Sequence, residues 1–262
     1  MNEEQLAFWI RQYSDSQTAV VANGEVPASE LSVRLLRKMK RIICCDGALS
    51  KLLSINIVPD VVVGDGDSMD AQLLNSQTNI ENPQTDFGSL YCRDAMHCVS
   101  TAMHCVSTAM HCVSTEGHEI PYFQDRSEEY NDLQKALKYC MANGCDDILL
   151  MGCGGLREDH FIANLSIMVM YSERLNLAML TEHGVFNAFQ GVATFASFTG
   201  MQVSVFARNP HTKLTFQGLK YPVNNRSFNW LWEGSLNEAV EESFTVKAED
   251  EGAVVVYRAL NS

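Results

Sequence analysis

Apolar and polar positions follow two different rhythms along this chain, and the change falls near residue 183. Before it, short apolar runs alternate with segments whose apolar residues recur every three or four positions. Runs at 18–22, 41–45, 60–63, 148–151 and 176–180 read as strands. Residues 29–40, with Leu31, Leu35 and Met39 on one face, read as a helix, and 48–53 as a shorter one. A helix starting near residue 132 buries Leu133, Ala136, Leu137 and Cys140, with Asn131 or Asp132 as its cap. Another, 160–172, presents Phe161, Leu165, Met168 and Val169. Strand and helix in alternation predict an α/β fold with a mostly parallel sheet covered by helices. Beyond residue 183 short runs at 192–198, 202–206, 213–216, 243–246 and 253–257 are separated by Gly191, Gly200, Asn209-Pro210, Gly218 and Gly252. That texture predicts a small antiparallel β-domain. The expected division is 1–182 and 183–262.

In a parallel α/β sheet, ligands sit beyond the carboxyl ends of the strands. Asp46, Asp65, Asp67, Arg157 and Asp159 all fall just after predicted strands. Asp65 and Asp67 lie in Gly64-Asp65-Gly66-Asp67-Ser68, at the exit of Val61-Val62-Val63. Two carboxylates so placed are costly unless a cation neutralises them, which points to a divalent metal and a phosphorylated ligand. A calcium-loop reading fails, because Met69 and Ser76 occupy positions that need ligands. Further on, the 148–151 strand runs into Gly152-Cys153-Gly154-Gly155-Leu156-Arg157-Glu158-Asp159-His160 before a helix. Strand, glycine loop and helix present backbone N–H groups to phosphate.

The formal charge of −13 argues against a nucleic-acid partner and requires local neutralisation at any nucleotide site. The N-terminus lacks a signal peptide's basic start and apolar core, and no apolar run reaches membrane-span length. Nine cysteines without a disulfide framework read as reduced and cytoplasmic. The heptapeptide Ala-Met-His-Cys-Val-Ser-Thr occurs three times in 95–115. It reads either as a soft-metal site or as tandem duplication in a tolerant loop, and the spacing fits no standard zinc pattern. The expectation is a non-catalytic insertion over about 82–118.

Taken together, several motifs resemble the thiamine pyrophosphokinase family. They are Asn23-Gly24, Cys45-Asp46-Gly47-Ala48, Pro59-Asp60 leading into Gly64-Asp65-Gly66-Asp67-Ser68, Asn131-Asp132 with Lys135-Ala136, and Gly154-Gly155-Leu156-Arg157-Glu158-Asp159-His160 with Asn164. The resemblance implies an N-terminal catalytic domain, a C-terminal thiamine-binding β-sandwich and a homodimer with thiamine near the subunit interface. It implies that the hydroxyl of thiamine attacks the β-phosphorus of ATP, releasing AMP, with Mg²⁺ held by Asp65, Asp67, Asp132 and Asp159. Arg157 is then a fork-shaped phosphate donor. Asp46, Ser68, Lys135, His160 and Asn164 are candidate ligand contacts. For Asp46 a turn role, for Lys135 a solvent-facing one, for His160 a place at a helix start and for Asn164 packing stand as alternatives. Either Asp67 or Asp132 positions or deprotonates the hydroxyl.

Trp230 and Trp232, two apart on an expected strand, are candidates for an aromatic wall against the thiazolium, or for core packing. Ser235 and Asn237 follow in Gly234-Ser235-Leu236-Asn237. The family usually has serine where Leu236 stands, and glutamine where Glu128 stands. The Ser235-Leu236 irregularity leaves open another Mg²⁺-dependent diphosphotransferase or phosphohydrolase, and the repeat insertion leaves open a non-catalytic thiamine-binding relative.

Overall fold

The continuous apolar runs need cover on both faces, and a parallel sheet between two layers provides it. The computed structural model describes residues 1–25, 28–69, 77–79, 108–115, 118–249 and 252–261. Its strands in chain order are β1 (Thr18–Val21), β2 (Arg41–Cys45), β3 (Val61–Gly64), β4 (Gln77–Asn79), β5 (Thr108–Thr115), β6 (His118–Asp125), β7 (Asp147–Met151) and β8 (Asn176–Leu180). Then follow β9 (Gly184–Phe189), β10 (Val192–Ala196), β11 (Gln202–Ala207), β12 (Leu214–Gln217), β13 (Val223–Arg226), β14 (Asn237–Glu238), β15 (Ser243–Ala248) and β16 (Val254–Ala259). The helices are α1 (Glu3–Tyr13), α2 (Glu30–Leu36), α3 (Leu49–Ser54), α4 (Asp132–Ala142) and α5 (Glu158–Tyr171).

One sheet runs β14-β11-β16-β9-β8-β7-β1-β2-β3-β6-β5-β4. Its middle six strands, β8 to β6 in that order, are parallel. Side chains alternate between its faces. Ala19, Val21, Cys44 and Val62 pack with α1, α2 and α3, whereas Val20, Ile43, Val63 and Leu150 pack with α4 and α5. The α/β expectation holds.

The antiparallel C-terminal part holds as well, with one addition. Strand β9 pairs with β8, so the large sheet continues across residue 183. The second sheet, β10-β15-β12-β13, closes against this extension, burying Leu214, Phe216, Phe244 and Val246 in one cluster with Val203, Val205, Val254 and Val256. Helix α1 was absent from the expected elements, although Asn2 and Gln5 form a capping box and Leu6, Trp9 and Tyr13 share a buried stripe. The C-terminal strands hold it in place. Arg258 Nη2 donates to Tyr13 Oη at 2.7 Å, and Trp9 Nε1 donates to the Leu260 carbonyl at 3.2 Å.

The expected insertion is not wholly outside the sheet. Strand β5 contains the third heptapeptide copy and pairs with β6 along its whole length, from Thr108↔Asp125 to Thr115↔His118. Val113 is buried there. The first copy and most of the second lie outside the described residues.

Candidate active site

The chain steps from β1 to β2 to β3 in one direction, then returns through α4 to β7 on the other side of β1. The loops after β1 and β7 therefore diverge, which opens a crevice at the carboxyl ends of the strands. A cleft of about 370 Å³ lies there, lined by Asn23, Gly24, Cys45, Ser68, Asp132, Cys153, Gly154, Arg157, His160 and Asn164, among others. The two loops are stitched together: Gly24 N–H donates to Gly152 O at 2.7 Å and Glu25 N–H to Gly154 O at 2.8 Å. Any side chain at Gly24 would strike those carbonyls, and Gly152 adopts φ +65°. Asn164 Nδ2 donates to the Cys153 carbonyl at 2.9 Å and steadies the glycine loop from α5.

Three carboxylates converge at this end of the sheet. Ligand atoms of Asp46, Asp65 and Asp67 lie within 4.8 Å of one another. Asp46 is the buried member. Its Oδ1 accepts from Gly47 N–H at 2.7 Å and its Oδ2 from Gly66 N–H at 2.8 Å. Gly66 has φ +93°, which turns its N–H toward that oxygen, and a side chain at Gly64 would collide with the same carboxylate. Burial, then the charge of Asp132, pushes the Asp46 carboxyl up to about 6, against the pull of the two N–H donors. Ser68 Oγ donates to Asp67 Oδ1 at 2.9 Å, and Gln124 Nε2 donates to the Asp65 carbonyl at 2.9 Å.

Lys135 corrects the solvent-facing expectation. It is buried, and its Nζ donates to Asp65 Oδ2 at 2.7 Å and to Asp132 Oδ1 at 3.2 Å. Burial works against the ammonium, but its hydrogen bond to Asp65 and the charge of Asp132 hold its pKa above the usual lysine value. Burial also opposes ionisation of Asp65, and the Lys135 bond outweighs it, so that carboxyl sits below its ordinary value. Asp132, farther from the ammonium, is raised by burial. Helix α4 is capped by Asn131, whose side chain accepts from Gln134 N–H, so the Asp132 carboxylate is left to face the cleft.

The structure places Asp159 apart from the three converging carboxylates. It forms a forked pair with Arg157, Nε to Oδ1 at 3.0 Å and Nη2 to Oδ2 at 2.6 Å, on the exposed first turn of α5. Among the described residues, the carboxylates close enough to share a metal include Asp46 beside Asp65 and Asp67, where the sequence suggested Asp132 and Asp159. The signal for Asp46 was its place after β2; what joins it to the Asp65–Asp67 turn is the hydrogen bond from Gly66 N–H, across twenty residues.

The C-terminal candidates separate. Trp230 and Trp232 are not on a strand: Trp230 caps a 3-10 turn, Leu231–Gly234, closed by the Glu233 carboxylate on Trp230 N–H. Both rings are exposed, at 68% and 73%, which removes the core-packing alternative. Asn237 is buried, its Oδ1 accepting from Tyr221 and Glu238 N–H and its Nδ2 donating to Tyr221 O. That makes it a structural bridge. Ser235 Oγ donates to Trp232 O at 2.7 Å, and Leu236 takes φ +60° with its side chain 80% exposed. A larger apolar groove of about 690 Å³ runs between α5 and the strands β9, β11 and β16, bounded by Phe161, Ile162, Met170, Phe206, Leu231 and Tyr257 among others.

Known proteins match this architecture. The family model described as thiamin pyrophosphokinase, catalytic domain, matches residues 33–179, and that for the substrate-binding domain matches 184–257. Among curated proteins no sequence matches significantly. Among solved structures, the fold is similar to thiamine pyrophosphokinase from Bacillus subtilis, with a TM-score of 0.65 and 18% identity over 94% of this chain and 100% of that one. It is also similar to the Candida albicans protein, with a TM-score of 0.65 and 15% identity over 92% and 89%. The yeast enzyme gives a TM-score of 0.61 at 16% identity, covering 100% of this chain and 91% of its own. With its catalytic and substrate-binding halves both matched in order, the chain belongs to the thiamin pyrophosphokinase family.

Proposed function

We propose that the cleft between the β1 and β7 loops carries out diphosphoryl transfer from ATP to thiamine, giving thiamine diphosphate and AMP. Family membership supports the reaction, and one observation carries its placement: Asp46, Asp65 and Asp67 converge beside a cleft walled by two glycine loops. Three carboxylate oxygens within a few ångströms are hard donors, and they fit Mg²⁺ with open positions left for phosphate and water. Bound Mg²⁺ supplies charge neutralisation at the transferring phosphates.

The remaining work belongs to the protein. Backbone N–H groups from Gly47 and Gly66 fix the Asp46 carboxylate. Lys135 ties Asp65, in the loop after β3, to Asp132 at the start of α4. Asp132 lines the cleft and is our candidate for accepting the hydroxyl proton of thiamine. Arg157 also lines the cleft, and its fork passes from Asp159 to a phosphate when nucleotide binds. Ser68 and His160 line the same wall as nucleotide contacts.

The exposed Trp230 and Trp232 with Leu231, next to the apolar groove on α5, support a homodimer in which thiamine lies at the subunit boundary. Cys44, Cys45, Cys140, Cys145 and Cys153 are free, and no helix among the described residues is long and apolar enough to cross a membrane. Both are in keeping with a cytoplasmic enzyme.

Product analysis tests the reading. Purified protein with Mg²⁺ and ATP releases AMP only when thiamine is present. ADP or free phosphate as the product would assign a different transfer, and thermal stabilisation by thiamine without turnover would leave only a binding relative.

A further inference from the structure

A lysine ammonium has three N–H donors and no acceptor. In Lys51, on α3, all three are directed at the loop after β1: Nζ lies 2.9 Å from Asn23 O, 2.9 Å from Asn23 Oδ1 and 2.8 Å from Gly24 O. A surface lysine ordinarily remains solvated and rotationally free, so three committed donors on one loop imply a fixed geometry. The loop matters because Asn23 and Gly24 form one wall of the nucleotide cleft. It is held on its other side by Gly24 N–H on Gly152 O and Glu25 N–H on Gly154 O. Lys51 therefore completes a clamp from α3 through the β1 loop to the glycine loop after β7.

The same bond decides which end of the Asn23 amide faces which way. An ammonium can meet only the oxygen, so Nδ2 is turned from Lys51. Nδ2 and the rest of that amide occupy the space where a side chain at Gly47 would stand, directly after Asp46. The amide thus presents N–H groups beside the proposed metal and phosphate site. Resting on the functional reading above, we infer that Lys51 is a positioning residue for the nucleotide: it sets the Asn23 amide as an N–H donor toward the phosphates of ATP.

The test compares Lys51→Met, Lys51→Arg, Asn23→Ala and the double variant Lys51→Met/Asn23→Ala with the unaltered enzyme. Lys51→Met raises the KM for ATP about tenfold, leaving kcat and the KM for thiamine within about twofold, because uniform binding of nucleotide is what is lost. Lys51→Arg, which keeps donors in reach of the loop, recovers most of the effect. Since Lys51 acts through Asn23, the double variant costs no more than the worse single one. Hydrogen exchange at the Gly24 and Glu25 amides rises in Lys51→Met, a readout independent of turnover. An unchanged KM for ATP in an active, folded Lys51→Met enzyme overturns the inference and leaves the functional reading standing. So does a double variant whose losses simply multiply, or unchanged exchange at the two amides. Absence of thiamine-dependent AMP from the unaltered enzyme sinks the functional reading instead, and exchange then still decides whether Lys51 holds the loop.

Discussion

Replacing Lys135 by Met keeps the length of the side chain and removes the one cation among Asp65 and Asp132. Its Nζ sits 2.7 Å from one carboxylate and 3.2 Å from the other, so their bonded oxygens are no more than about 6 Å apart. Two unit charges at that distance repel by about 3 kcal/mol at an effective dielectric of about 20. Stripping a buried pair of one partner generally costs about 3–5 kcal/mol. Here the carboxylates keep 32% and 25% of their side-chain exposure and rehydrate in part, which places the loss near the lower figure. About 3 kcal/mol in a chain of this size lowers Tm by roughly 6–12 °C. The measurement is thermal and urea unfolding of both proteins at pH 7, with and without Mg²⁺. Because a bound cation relieves the same repulsion, Mg²⁺ stabilises Lys135→Met more than it stabilises the parent. A variant within about 2 °C of the parent without metal would show that Lys135 does not organise the acidic site.

Asp67→Asn lowers kcat by at least about 100-fold while Tm stays close to the parent, since Asp67 is exposed and bonded only to its neighbours; retained turnover in a steady-state AMP assay removes Asp67 from the site. Deleting residues 95–108 leaves the third heptapeptide to form β5 and preserves activity, whereas deleting 95–115 removes that strand from beside β6 and lowers stability; equal melting temperatures for the two deletions contradict the role of β5. The pH dependence of Mg²⁺ stabilisation follows from Asp46. Its folded carboxyl sits at about 6 against an ordinary 3.8, so the metal-free fold binds that proton more tightly than the unfolded chain does. The stability this contributes is full below pH 3.8 and is lost as pH rises through 6. Mg²⁺ competes with the proton, and the Tm increase on adding Mg²⁺ grows between pH 5 and pH 7; an increase that is flat with pH excludes Asp46 as a ligand.

What the sequence displayed best was whatever depends on neighbours in the chain. The valine run 61–63 had to be buried, so the Asp65-Gly66-Asp67 turn had to emerge at a strand end. A helix had to start at Asn131-Asp132, and the structure selects Asn131 as its cap. Long-range pairing was harder to see. Lys135 lies between Gln134 and Ala136, and nothing nearby signals that its ammonium meets Asp65, seventy residues away. The alternation of Trp230 and Trp232 imitates a strand, but Glu233 folds back on Trp230 N–H and closes a 3-10 turn instead. Asn237 matched a ligand position in sequence, and its amide also ties the backbones of Tyr221 and Glu238, a pairing that nothing nearby in the chain signals. The third heptapeptide copy forms β5, between β6 and β4, a pairing that the repeat by itself does not signal.

If the proposed function is right, Asp46, Asp65 and Asp67 together hold the divalent cation that serves the nucleotide. Anomalous diffraction from crystals grown with Mn²⁺, standing in for Mg²⁺, and a non-hydrolysable ATP analogue tests it most directly. A single strong peak about 2 Å from carboxylate oxygens of all three residues is expected. A peak on the Arg157–Asp159 turn, or none within reach of Asp46, would contradict it.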